Sequence, residues 1–469
     1  MRALTRVGNA LERFLGLYGY QPIDTPVLEE TDLFLRKSGG ELASKMYTFT
    51  DPGGRLVSLR PEFTASATRM YVQAMKSLPV PVRWRYAGPV FRHETDGDAD
   101  HRQFTQVGAE MFGASGTWAD AEVLAIAWKG LAQLGLRRHR LVIGHVAFIT
   151  SLLEALGLSD RARVLLLGSV GTLSRGGDGV AEVSQKAASL GLLGDGAEAR
   201  SSVATVAEEA LALLERSLEG GAGITFGVRS PEEVRERFRR KHQQAQGAGR
   251  VEEALKLLGR VVRVKGAPEQ ALREVRTIVD AGPAREELEE LSRVVEALAA
   301  YGVIGPVTLD FGLARGIAYY NGIVFDIQHS AAPGASLGGG GRYDGLVQAL
   351  GQAQVGGQRT ALGFAWAVER VAAALAAEHH DAPASEQERA PVLVRAESRS
   401  AMPRAAHEAE RLRGEGTPVE LDVSGRSTAE CITYARKRGF RQVLTVDAQG
   451  GVKRANVSER ARGAQARHP

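Results

Sequence analysis

Three short segments set charged or amide side chains inside otherwise apolar text: Arg60-Pro61-Glu62-Phe63-Thr64, Phe91-Arg92-His93-Glu94 and Gln106-Val107-Gly108-Ala109-Glu110. Arg and Glu are seldom buried without a partner, so such groups on neighbouring strands suit the charged floor of a cleft. The same spacing also describes half-exposed strands whose charges face solvent. Three further segments combine glycines, tyrosines and a closing Glu-Arg: Asp310 to Gly322, Gly338 to Leu346, and Gly363 to Arg370. No Walker loop, His-Glu-x-x-His, Gly-x-Ser-x-Gly or dinucleotide glycine fingerprint stands in a strand-to-helix setting. No His, Cys, Asp and Glu spacing supports a dedicated metal site, and no metal-binding residue is expected.

These segments need elements to hold them. Leu4, Val7, Leu11, Phe14, Leu15 and Tyr18 recur at helical spacing and predict a helix over 3–18, ended by Gly19. Strands are predicted at 20–23, 46–50, 56–59, 83–86, 90–93 and 103–111, with turns such as Asp51-Pro52-Gly53-Gly54 between them. Short links favour an antiparallel sheet, and helices at 62–75 and 118–134 make residues 1–160 an α+β region. Ala, Leu, Glu and Arg at helical spacing then mark 161–300 as a helical insertion. Strands resume at 307–311, 322–328 and 336–341, followed by a helix over 361–375, so 301–376 returns to the sheet. Residues 377–390 read as a linker, and 391–452 alternate strand and helix as a small α/β module with a parallel sheet. The segment 453–469 reads as a basic, disordered tail.

With 469 residues the chain has room for about three domains. Lys plus Arg numbers 59 against 55 for Asp plus Glu, a net +4, and the tail's Lys453, Arg454, Arg460, Arg462 and Arg467 face only Glu459. Such a balance permits an anionic partner without describing a uniformly phosphate-coating surface. The single Cys431 excludes an internal disulfide and a Cys-rich zinc site. The start lacks a secretory apolar core and no 18-residue uncharged apolar run occurs, so a soluble, cytoplasmic protein with no membrane partner is expected.

Taken together and in order, the six segments resemble the class II aminoacyl-tRNA synthetases, and within them the histidyl-tRNA synthetase family with its non-synthetase relatives. Thr25 to Glu29 is similar to the first class motif, Phe91 to Glu110 to the second and Gly363 to Arg370 to the third, while the two tyrosine-containing segments resemble the histidine-specific loops. The resemblance implies a class II synthetase-like antiparallel sheet flanked by helices, a helical insertion, and a C-terminal α/β anticodon-binding-like domain of which Val419 to Ser427 is the clearest piece. It implies a histidine-tRNA ligase, with L-histidine, ATP and tRNA(His) as partners. Mg²⁺ would arrive with ATP as a substrate complex, there being no tightly held cofactor. A homodimer built on the first motif is implied too.

Residue by residue, the resemblance gives Arg92 and Arg315 the catalytic roles at the α-phosphate and carboxylate, and Arg92, Glu94 and Arg370 the ATP site. Glu62, Phe63 and Thr64 fall at the α-amine, Gln106 and Arg315 near the carboxylate, Glu110 with Tyr320 at the imidazole, and Tyr319 along the pocket wall. Tyr343 and Asp344 are expected to brace the pocket, and a regular strand would turn only one of Tyr319 and Tyr320 toward a ligand. The chain departs from the family in the acidic stretch Asp96, Asp98 and Asp100, in Ala318 and in Ala367. These departures favour an alternative: a catalytically silent, histidine-sensing paralogue that partners the catalytic subunit of ATP phosphoribosyltransferase as its regulatory subunit.

Overall fold

The computed structural model describes residues 2–36, 39–93, 102–193, 249–279, 282–303, 305–313, 319–330, 332–351, 359–378 and 391–457. In chain order the strands are β1 (Gln21–Pro22), β2 (Leu28–Glu30), β3 (Thr48–Thr50), β4 (Leu56–Leu59), β5 (Val82–Phe91), β6 (Gln103–Phe112) and β7 (His139–His145). They continue as β8 (Lys265–Gly266), β9 (Val307–Asp310), β10 (Ile323–His329), β11 (Ala332–Arg342) and β12 (Ala361–Ala367). The last four are β13 (Val392–Ala396), β14 (Val419–Leu421), β15 (Gln442–Val446) and β16 (Val452–Asn456). The chain divides into two compact units, 1–146 with 289–308 and 315–469, and 147–288 with 309–314.

In the larger unit β1-β5-β6-β12-β11-β10-β7 lie side by side, all antiparallel except the short parallel contact of β1 with β5. The helix Arg2–Leu17 buries Val7, Leu11, Phe14 and Leu15, the stripe its sequence spacing predicts, against β5 and the helices Thr117–Gln133 and Val368–Ala377. Gly19 ends it in a left-handed turn at φ 79°. The helix Thr64–Ala74 packs on β6 and on the helix Asp344–Leu350. Tyr71 stacks on Phe112 with ring centroids 4.4 Å apart, joining that helix to the sheet. A separate three-stranded sheet, β2-β4-β3, is antiparallel.

The C-terminal module belongs to this same unit. Its sheet has the order β14-β13-β15-β16, parallel through β15 as the alternation of elements predicts. The helix Thr428–Arg438 begins with a reciprocal cap between Ser427 and Glu430 and ends at Gly439 in the left-handed region. The smaller unit is mainly helical, with Val146–Ala155, Asp160–Gly168, Gly177–Ser189, residues 249–261 and Pro268–Ile278 burying leucines such as Leu166, Leu173 and Leu258.

Four expectations are corrected. Residues 361–375 are not one helix: Ala361–Ala367 is a central strand and the helix begins only at Val368. The strand is buried at all but one of its positions, so both faces carry apolar residues and the alternation that separates strand from helix in sequence is lost. The predicted strands 83–86 and 90–93 form one strand, β5, that runs through Pro89. This is allowed because β1 covers only Trp84 and Arg85, leaving the outer edge at Pro89 without a strand partner among the described residues, while Arg60 Nε donates to the Pro89 carbonyl at 2.9 Å. The central strand β7 has no counterpart among the predicted strands. Finally, Lys453 to Asn456 are not tail but part of β16, paired antiparallel to β15.

Candidate functional site

Residues of β5, β6, β11 and β12, the starts of the helices Thr64–Ala74 and Val368–Ala377, and the loop at Tyr319 and Tyr320 line one cleft in the larger unit. Among its lining residues are Glu62, Thr64, Arg92, Gln106, Tyr319, Tyr320 and Arg370. Phe63 is not on the cleft surface: it lies buried beneath, stacked on Tyr86 at 4.2 Å with Arg60 4.0 Å over its other side. Arg315 and Glu94 lie outside the described residues.

Glu110 sits under this cleft with no exposed surface. Strand alternation puts it on the same sheet face as Trp84, its register partner. Its Oε1 accepts from Thr64 Oγ1 at 2.8 Å and from Tyr86 OH at 3.0 Å, and Tyr343 OH donates to Oε2. Burial pushes its pKa up to about 8 from an ordinary 4.5, against the pull of the Tyr343 and Thr64 bonds. Glu110 therefore changes charge in the range where imidazole also does. Its space depends on Gly363 in β12, where a Cβ would land on Glu110 Oε2.

Glu62 closes the start of the neighbouring helix. Its Oε2 accepts from the Thr64 amide at 2.7 Å and its Oε1 from the Ala65 amide at 3.0 Å, with Tyr319 OH at 3.4 Å from Oε2. Burial raises its pKa, and these bonds and the positive charge of Arg92 oppose that rise. Gln106 Oε1 is buried and has no hydrogen-bond partner among the described residues. Such an acceptor is costly unless a ligand N–H meets it.

The arginines are held by backbone. Arg92 Nε donates to the Pro61 carbonyl at 2.8 Å, and its guanidinium lies 5.4 Å over the Phe104 ring. Arg370 Nη1 donates to the Ser336 carbonyl at 3.1 Å. Beside it, both carboxylate oxygens of Glu369 accept from the Thr105 amide at 2.9 Å, tying the helix start to β6 next to Gln106. Arg342 pairs with buried Asp120 at 2.7 Å and with Asp344 at 3.3 Å. Asp344 in turn accepts from the Ala361 amide at 2.7 Å, and Asn321 Oδ1 accepts from the Asp344 amide at 3.0 Å. Asp344 thus braces the tyrosine loop.

Tyr319 and Tyr320 both line the cleft, their rings 5.0 Å apart and edge to face, because they lie on a loop rather than a regular strand. Tyr343 lines the cleft and bonds Glu110 directly rather than only bracing it. Tyr86, Phe104 and Ser336 also line it and were not singled out in the sequence, and Gly363, the first residue of the segment Gly363 to Arg370, lines it too. Tyr86 and Phe104 read there as ordinary strand aromatics, and only their nearness to the charged segments 91–94 and 106–110 could have flagged them. Among the described residues no group of three or more His, Cys, Asp or Glu could hold a metal ion.

An antiparallel sheet with this cleft on one face, a helical unit inserted in its sequence and an attached α/β module is the fold of a class II aminoacyl-tRNA synthetase. A solved structure of an ATP phosphoribosyltransferase regulatory subunit/histidyl-tRNA synthetase from Bacillus halodurans shares it, with a TM-score of 0.56 at 19% identity over 95% of this chain and 94% of that one. The family model described as histidyl-tRNA synthetase matches residues 1–216 and 228–371, and the chain belongs to that family. Curated relatives carry two different names. A histidine–tRNA ligase from Pyrococcus horikoshii is 29% identical over 93% of this chain and 86% of its own length. An ATP phosphoribosyltransferase regulatory subunit from Moorella thermoacetica is 33% identical over 93% of this chain and 92% of its own.

Proposed function

We propose that the cleft binds L-histidine and ATP and that the protein is a histidine-tRNA ligase, forming histidyl-adenylate and passing the histidyl group to tRNA(His). One observation carries this reading: the unpartnered acceptor of Gln106 shares a cleft with both Arg92 and Arg370, and Glu110 lies directly beneath it, held by three hydroxyls. Glu110 takes the ring N–H of histidine, with Tyr320 beside it. A ligand ammonium meets Thr64 and Glu62, and also the Gln106 oxygen, which as an unpartnered acceptor suits an N–H rather than the carboxylate the resemblance assigns to it. Arg92 serves the α-phosphate and the histidine carboxylate and Arg370 the rest of the nucleotide, with Arg315 and Glu94 assigned beside them by the family resemblance alone. The carboxylate oxygen attacks the α-phosphorus, the bond to the bridging oxygen breaks, and pyrophosphate leaves. Fixed guanidiniums and a Mg²⁺ carried in with ATP offset the charge that develops, so positioning and electrostatics supply the catalysis.

A second reading is supported by the 33% identical regulatory subunit and by Ala318 and the acids Asp96, Asp98 and Asp100. In it the same cleft senses histidine for the catalytic subunit of ATP phosphoribosyltransferase and makes no adenylate. In either reading the protein works as a cytoplasmic homodimer. The apolar side chains of Val27, Leu28, Leu35, Phe49 and Leu56 support the dimer, being exposed on and beside the β2-β4-β3 sheet.

Histidine-dependent exchange of pyrophosphate into ATP separates the readings. Exchange that needs histidine and disappears in Arg92→Ala and Arg315→Ala is the outcome expected of the ligase. Histidine binding by calorimetry without exchange would favour the regulatory subunit, and no histidine binding would overturn both.

A further inference from the structure

Arg83 and Glu420 lie 337 residues apart in the chain, yet both side chains are fully buried against each other. Arg83 is on β5, and Glu420 is on β14 of the C-terminal module. Arg83 Nη1 donates to Glu420 Oε1 at 2.5 Å, while Nη2 donates to Glu122 at 3.0 Å and to the Leu421 carbonyl at 2.9 Å. Tyr434 OH, also of the module, is 2.5 Å from Glu420 Oε1 and 3.0 Å from the carbonyl of Pro81, the residue before β5. Arg438 approaches Glu420 Oε2 at 3.6 Å and donates to the Gly19 carbonyl. A buried charge set of this kind leaves an uncompensated ion if one partner goes, so it fixes geometry more than it adds stability.

The network lies directly behind the cleft. In the β5 and β6 register Arg83 faces Met111 and the next residue, Trp84, faces Glu110. Alternation therefore puts Arg83 and Glu110 on opposite faces of the same two strands, one step apart. Three residues further along β5, Tyr86 bonds Glu110, and Arg92 follows the end of the strand.

We propose that Glu420 is a positioning residue of the cleft: through Arg83 it fixes β5 against the C-terminal module and the helix Thr117–Gln133, so that docking of the module sets the affinity for histidine. This rests on the cleft being a histidine site. By linkage, a ligand that loosens the module weakens histidine binding, and histidine tightens the module by the same factor.

The test is calorimetry with L-histidine on the full chain and on Glu420→Leu and Glu410→Leu. Glu410 is a control from the same module; it binds Tyr18, Lys129 and Arg413 rather than β5. Glu420→Leu is expected to weaken histidine about tenfold, and Glu410→Leu to stay within about twofold, whatever each does to the melting temperature. Equal losses in both variants, or none in Glu420→Leu, overturn the proposal. If Glu420→Leu does not fold, Tyr434→Phe removes one of Glu420's donors in place, and an unchanged affinity there overturns it as well. A wild-type chain that binds no histidine refutes the reading of the cleft instead. Amide exchange along β5, faster in Glu420→Leu than in Glu410→Leu, then tests the positioning by itself.

Discussion

Glu110 shows how burial, helped by the negative charge of Glu62, pushes a carboxylate's pKa up to about 8, with its bonding hydroxyls holding the shift in check. A carboxyl whose folded pKa is raised stabilises the fold fully below its unfolded value and loses that contribution as pH rises through the folded one. The protein should therefore lose stability between pH 4.5 and about 8 more steeply than Glu110→Gln, in thermal melts at both ends of that window. Gly363 is the matching steric constraint: Gly363→Ala would meet Glu110 and the Ala109 carbonyl. It should cost about 1–3 kcal/mol by denaturant unfolding and weaken histidine by more than tenfold in calorimetry. The charged members of this site stood out in the sequence because Glu62, Gln106 and Glu110 interrupt apolar text. Tyr86 and Phe104 did not, since an aromatic in a strand carries the same pattern whether it faces a core or a ligand.

At the scale of elements, the amphipathic helix Arg2–Leu17 was legible, having one buried face and hence a clear period. β12 was not, because burial on both faces erases the period, and the expected helix merged a strand with the helix that follows it. The junction between them is held by Glu369, whose two oxygens meet one amide of β6. Glu369→Ala leaves the Thr105 N–H without that acceptor and should cost about 1–3 kcal/mol in urea unfolding. Exchange of the Thr105 amide should accelerate with it.

For the whole molecule, the order of segments pointed to the family before any coordinates, because six motifs spread over most of the chain constrain each other more than any one does alone. Membership leaves open which of two activities the cleft serves, since relatives of both names share the same fold. Assembly is testable separately. Phe49→Asp with Leu56→Asp puts charge into the exposed apolar patch on β3 and β4, and sedimentation velocity should then show monomer where the wild type shows dimer.

One wall of the cleft is built from glycines. Gly338, Gly339 and Gly363 present main chain rather than side chains to it, and a Cβ at Gly338 would meet the Ala365 carbonyl at 2.5 Å. A surface written in peptide bonds has no side-chain chemistry to exchange, and its close packing rejects any that is added. Divergence between an enzyme and a sensor built on this scaffold must therefore be written elsewhere, in side chains such as the arginines and the tyrosine loop, where a change does not collide with the sheet.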